Sequence, residues 1–186
     1  MHHLLFEGAE LTGKSFTIYG VWNFLEQKYN SGENTMDGCT WFNADVGVFG
    51  SADGPALVDA YMAIARKLAH KNIIFEKLHL TDFIYSGGAH AEAFARAERA
   101  LQELDFKLVL TEVAPNQALF EKRLKERLVG MPSYARIAKS PEAYINAQEQ
   151  YRALAKKSCL PRLTVDNTQL PNDNAKCILR WIGEGM

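Results

Sequence analysis

The chemistry of this sequence is concentrated near its start. Gly8, Ala9, Glu10, Leu11, Thr12, Gly13, Lys14 and Ser15 satisfy the pattern GxxxxGK[ST], with an apolar run at 4–7 before it and a helical pattern after it. Glycine at 8 and 13 permits backbone conformations in which successive N–H groups point inward at phosphate oxygens, and a following helix adds its positive end. Lys14 is placed to neutralise β- and γ-phosphates, and the Ser15 hydroxyl is a short oxygen ligand suited to Mg²⁺. Phe16 stands where a second hydroxyl residue is common in such loops. The spacing predicts that residues 8–16 hold a purine nucleoside triphosphate, read as ATP with Mg²⁺, for phosphoryl transfer to a small acceptor.

Such chemistry needs an acidic group on a neighbouring strand, to hold the metal or to take a proton from an attacking hydroxyl. The run 72–76 reads as a buried strand ending in the carboxylate of Glu76, and sites in open parallel sheets lie at the carboxyl ends of strands. Glu76 is therefore expected to face the phosphate loop, as a catalytic and metal-binding residue, with Lys77 beside it as a phosphate contact. A solvent-exposed ion pair at a strand end is the alternative use of the same two residues. Basic residues gather again at Lys122, Arg123, Lys125, Arg127, Arg136 and Lys139, in a chain whose net charge is only −1. Arg123 and Arg127 are four apart and share one face of a helix, so they are placed to close over polyphosphate, with Arg136 arriving from the loop beyond.

Elements that position these residues are legible from hydrophobic periodicity. Strands are expected at 4–7, 40–48, 72–76, 107–113 and 162–165, and helices at 14–29, 55–70, 89–104, 115–128, 141–157 and 172–182. Three of the helices are expected to open on proline, whose fixed φ suits a first turn. The stretch 30–38 reads as a loop, 123–140 as a lid, and 183–185 as a frayed stop. Short strands alternating with longer amphipathic segments imply an α/β, three-layer fold with a five-stranded parallel sheet flanked by helices. With 186 residues, 47% of them hydrophobic, the chain closes one core, and one domain spanning 1–186 is expected.

Balanced charge, 21 basic against 22 acidic side chains, gives no general attraction to nucleic acid, which is not an expected partner. No apolar run approaches the roughly 18 residues that span a bilayer, so no membrane partner is expected either. Cys39, Cys159 and Cys177 are scattered and form no metal-ligand spacing; they read as reduced thiols of a cytoplasmic protein.

Residues 6–15 resemble the FEGxDGxGKS opening of thymidylate kinases and related nucleoside and deoxynucleoside monophosphate kinases. Residues 75–85 are similar to the strand-end motif of that family, in which an acidic residue and an arginine precede a short helix. The resemblance implies that Glu76 sits near acceptor and metal and that Lys77 grips phosphate. Two departures stand out: monophosphate kinases usually carry aspartate at position 76 and arginine at 77, and lysine lacks the bidentate fork of arginine. Glutamate at that place is the pattern of deoxynucleoside kinases. The lid occupies the family's position, and Tyr151 resembles the tyrosine of the helix that follows it. Residues 165–168 match the loop that flanks adenine, which assigns Asn167 to nucleotide binding; the same residues also suit a plain turn. The acceptor, a nucleotide or nucleoside, is expected between the first helix, the second strand and the helix after Glu76, where Trp22, Phe24, Tyr29, Trp41, Phe42, Tyr61, Phe83 and Tyr85 map; one or two of these are expected to stack on a base while most build core, with Asp45 and Arg66 as polar contacts. A homodimer is common among the resembled enzymes. The leading expectation is a nucleoside monophosphate kinase; the alternatives are a kinase of deoxynucleosides or polynucleotide 5′-hydroxyl ends, and a nucleotide-binding regulator without turnover.

Overall fold

Five apolar runs pair side by side into one parallel sheet in the order β2-β3-β1-β4-β5. They are β1 (His3–Glu7), β2 (Cys39–Asn43), β3 (Asn72–Glu76), β4 (Phe106–Glu112) and β5 (Arg162–Asp166). The structure is a computed structural model that describes residues 1–43, 47–170 and 173–185. Strands β1 and β3 are buried along their whole length, as expected for central strands covered on both faces.

Because successive side chains of a strand point to opposite faces, each central strand feeds two cores. Leu4 and Phe6 of β1 join Ile18, Val21 and Leu25 of α1 (Lys14–Tyr29) and Ile178 of α7 (Asn174–Trp181). Leu5 points the other way, with Phe75 of β3, toward α2 (Gly54–Lys67), α4 (Ala91–Glu103) and α6 (Pro141–Ala155). A short helix, α3 (His79–Tyr85), follows β3, and α5 (Gln117–Gly130) follows β4. A 3-10 turn, Pro132–Arg136, joins α5 to α6. Helices on both faces of a parallel sheet make the three-layer α/β fold, with the phosphate loop leaving the central strand where the chain begins to wind both ways.

Local signals agree with these elements in most places. Ser140 caps α6, its Oγ accepting from the Ala143 N–H at 3.2 Å, with Pro141 in the first turn. Pro115, expected to open a helix, lies outside α5: Asn116 is the cap and accepts from Leu119 N–H at 3.2 Å. The second strand is shorter than expected. Its described part is Cys39–Asn43, and Gly47, at φ 70°, is already outside it; Asp45 and the rest of 44–46, like the expected helix start at 172, lie outside the described residues.

The expected frayed stop at 183–185 is instead a clasp. Glu184 is buried and accepts from His2 Nε2 at 2.6 Å, from the Tyr29 hydroxyl at 2.5 Å and from the Lys28 ammonium. Burial alone would raise its pKa, but these hydrogen bonds outweigh it and hold the carboxyl down at about 2.

Candidate functional site

Sterics fix the phosphate loop before any ligand enters. Gly8 has φ 140°, and a Cβ placed there would lie 2.4 Å from the Thr111 carbonyl oxygen on β4. Any other residue at this position would push the loop off the sheet. The Thr12 hydroxyl donates to Ala9 O at 2.8 Å and lies 2.9 Å from Thr111 Oγ1, fastening the middle of the loop to the same strand. Gly13 is in the left-handed region at the start of α1. Leu11 also has a positive φ, 62°, which costs an L side chain on the order of 1 kcal/mol and marks a backbone held by its surroundings.

Lys14 is buried, and its Nζ donates to the Gly8 and Ala9 carbonyls, both at 2.8 Å. Its ammonium lies inside its own loop. Burial, reinforced by the nearby Lys77, lowers its pKa to about 8. Ser15 Oγ donates to Glu76 Oε1 at 2.7 Å, which places the two expected metal-binding residues in contact. Glu76 Oε2 is buried and has no hydrogen-bond partner among the described residues. An orphaned buried carboxylate oxygen beside a serine hydroxyl fits a hard cation such as Mg²⁺, which favours oxygen donors.

Lys77 sits at the end of β3 with φ 63°, and its Nζ lies 3.7 Å from Glu10 Oε1. Lys14, Ser15, Glu76, Lys77, Arg123 and Arg127 share a cleft of about 310 Å³ above the loop. Glu10, Leu11, Gly13 and Phe16 also line it, so most of the residues expected at the site do meet.

Arg123 enters in a way that spacing did not foretell. Its guanidinium donates to Leu11 O at 2.8 Å, to Asn167 O and to Thr168 O at 3.3 Å, so it ties α5 to the phosphate loop and to the segment after β5. Burial lowers its pKa. Asn167, expected to flank a base, is itself buried: its Nδ2 donates to Thr12 O at 2.8 Å and its Oδ1 accepts from Thr17 Oγ1 at 3.1 Å. Its described contacts brace the loop. Arg127 is exposed, with its guanidinium 5.3 Å from the Tyr134 ring. Arg136 is exposed and lines neither this cleft nor the second one.

The second cleft, about 240 Å³, opens on the other side of Glu10 between α3 and α6. Phe49, Thr81, Tyr85, Lys139, Tyr144 and Tyr151 supply much of its wall. It borders α3, the helix after Glu76, while neither the first helix nor the second strand is among its described walls. Trp22, Phe24, Tyr29 and Trp41 pack in the α1/α7 layer, and Phe42, Tyr61 and Phe83 in the opposite one. Strand alternation sends Trp41 and Phe42 to opposite faces, and of the eight aromatics only Tyr85 reaches the cleft. Arg66 is exposed on α2 and lines neither cleft.

Three residues that sequence reasoning passed over organise this side. Tyr134 donates to Glu10 Oε2 and lies 3.0 Å from the Tyr144 hydroxyl, binding the 3-10 turn to the phosphate loop; burial and the Glu10 contact raise its pKa. Asp82, buried on α3, accepts from Gly50 N–H at 2.8 Å and pairs with His90 Nδ1 at 2.8 Å, pinning the backbone that carries Phe49. Glu7, fully buried, receives donors from residues 78, 80 and 81. Only Glu7 left a sequence signal, as a carboxylate directly after the apolar run Leu4, Leu5 and Phe6.

No protein-family model matches the sequence, and a search of curated proteins gives no significant match. Among solved structures the chain is similar to the YorR protein of Bacillus subtilis, described in complex with phosphorylated GDP. That match has 17% identity and a TM-score of 0.65, and covers 97% of this chain and 95% of the other. It is also similar to thymidylate kinase from Ehrlichia chaffeensis, with 11% identity, a TM-score of 0.53 and 98% of each chain covered. The chain shares with these structures a three-layer α/β P-loop fold.

Proposed function

We propose that the chain is an ATP- and Mg²⁺-dependent phosphotransferase acting on a nucleoside monophosphate, in the manner of a thymidylate kinase. The observation that carries this reading is the meeting of two clefts at Glu10. One is lined by Lys14, the Ser15–Glu76 pair and two arginines, and the other by aromatic rings and hydroxyls. The first has the cations and backbone cradle of a triphosphate site, and the second has the apolar walls and few polar groups of a site for a base and sugar. The fold match to a thymidylate kinase and to a protein described with phosphorylated GDP supports the same class of ligand.

In this reading Ser15 and Glu76 hold Mg²⁺, which when bound neutralises charge on the phosphates. Lys14 and Lys77 balance the charge of the transferring group, and Arg127 approaches it from the lid at 123–140. Arg123 fixes the loop through the Leu11 carbonyl while its flat face borders the nucleotide. Arg136, exposed here, serves once the lid turns inward. Catalysis is then mainly positioning and electrostatic stabilisation, since phosphoryl transfer has a loose transition state. Closure of 123–140 over the clefts excludes water that would otherwise accept the phosphoryl group.

A second reading, a kinase of deoxynucleosides or of polynucleotide 5′-hydroxyl ends, is favoured by Glu76 itself. Its free, buried Oε2 is available as a base toward a hydroxyl. Incubation with γ-labelled ATP and Mg²⁺ against panels of nucleoside monophosphates, deoxynucleosides and 5′-hydroxyl oligonucleotides separates the two readings. Label in a monophosphate is expected. Label in a hydroxyl acceptor replaces the first reading with the second, and nucleotide binding without transfer to any acceptor refutes both.

A further inference from the structure

Lys77 has a left-handed backbone that an L side chain adopts only under constraint. Both peptide groups beside it are held by β1. The Lys77 N–H donates to Phe6 O at 2.9 Å, and the next amide, Leu78 N–H, donates to Glu7 Oε1 at 2.9 Å. The same carboxylate oxygen also accepts from Leu80 N–H at 3.1 Å and Thr81 N–H at 3.4 Å. Oε2 accepts from the Thr81 hydroxyl at 2.6 Å, and that hydroxyl in turn lies 2.9 Å from the Tyr151 hydroxyl at the second cleft. In every described hydrogen bond of the Glu7 side chain the carboxylate accepts.

The cost of this arrangement is a wholly buried carboxylate in a central strand, which stands only because its lone pairs are filled. An apolar residue, like its neighbours Leu5 and Phe6, would serve a sheet core with no such cost. What the carboxylate adds is control of the turn from β3 to α3, and the strained residue of that turn is Lys77.

We propose that Glu7 is a positioning residue that acts on the reaction through Lys77, locking the backbone of residue 77 so that its ammonium stays over the phosphate loop. The inference rests on the reading of Lys77 as a phosphate contact. A side chain displaced by about 1 Å from its working geometry can cost on the order of 100-fold in rate, so the expected signature is a loss in kcat with the triphosphate cradle retained.

The test is a double-mutant cycle of Glu7→Gln and Lys77→Ala, with thermal unfolding followed in parallel. Glutamine keeps the shape of Glu7 but accepts through one oxygen only. Glu7→Gln should lower kcat by about tenfold or more, leave KM for ATP within about twofold, and add nothing once Lys77 is alanine. Losses that multiply, or an unchanged kcat, would overturn the proposal and leave Glu7 a structural cap. Should Glu7→Gln fail to fold, Glu7→Asp, which keeps the charge but shortens the reach, enters the same cycle under the same criteria. If the unmodified protein labels no acceptor, the proposed function fails separately, and the positioning is read from the side-chain NMR signal of Lys77 in the presence of inorganic tripolyphosphate. A Lys77 signal moved by Glu7→Gln upholds the role of Glu7, and an unmoved signal refutes it.

Discussion

The two clefts that meet at Glu10 are built by different means. The one above residues 8–15 is shaped by backbone: glycine where Thr111 leaves no room for a Cβ, carbonyls turned onto Lys14 and Arg123, and an asparagine bracing Thr12. The one between α3 and α6 is shaped by side chains, with Thr81, Tyr144 and Tyr151 presenting hydroxyls and Phe49 and Tyr85 presenting rings. Backbone shape is dictated by a few residue types at fixed spacing, so substitution there should be all or none. Side-chain walls tolerate exchange, and substitution there should be graded.

The largest expected effect lies on the backbone-built side. Lys14→Ala should lower transfer by at least about a hundredfold, the scale of losing one preorganised electrostatic contact, with circular dichroism unchanged. Near-normal turnover would mean that the first cleft is not where the triphosphate reacts. Glu76→Gln should lower turnover about tenfold or more and change ATP affinity by less than about threefold, a pattern read from the split of kcat and KM. The reverse pattern would make Glu76 part of the frame and erase the functional contrast between loop and strand end.

A pH titration sharpens the comparison without mutation. Burial holds the Lys14 pKa at about 8 in the folded chain against an ordinary 10.5. Between these values the unfolded chain binds more protons, so this residue's contribution to stability rises with pH across that window. Affinity for a triphosphate, which needs the ammonium, should fall over the same range. Calorimetric titrations and melting curves between pH 7 and about 10.5 should therefore move in opposite directions, and parallel trends would show that Lys14 is not the controlling charge. The smallest effect belongs to the side-chain side. Tyr134→Phe removes hydrogen bonds to Glu10 and Tyr144 and should cost about 1 kcal/mol, or a few degrees in Tm, with turnover reduced by a small factor. A loss as great as that of Lys14→Ala would show that the lid contact, too, is all or none.

The same contrast explains what could be read from sequence. The loop, the strand that carries Glu76 and the period of α1 follow rules that act over a few residues, and each was legible to within a residue or two. Glu7 accepting from residues 78, 80 and 81, Arg123 gripping Leu11 and Asn167, and Tyr134 reaching Glu10 are pairings across 44 to 124 positions. No spacing rule reports them. Which of the aromatics meets a cleft was illegible for a related reason: composition says that rings are present, but the face on which Trp41 or Phe42 emerges depends on strand register, and the register on the whole sheet.

The clasp at Glu184 has a kinetic meaning. Its hydrogen bond to His2 joins residues 182 positions apart. Closing so long a loop is entropically unfavourable until the intervening sheet and helices have brought the ends together, so the contact should be absent when the chain crosses its folding barrier. An interaction missing from the transition state slows escape from the native state without hastening arrival. Glu184→Gln is thus expected to steepen decay in unfolding jumps while refolding rates stay unchanged; slower refolding would place the clasp in the folding nucleus. On this view three donors converging on one carboxylate set how long the finished molecule lasts, with no part in how quickly it forms.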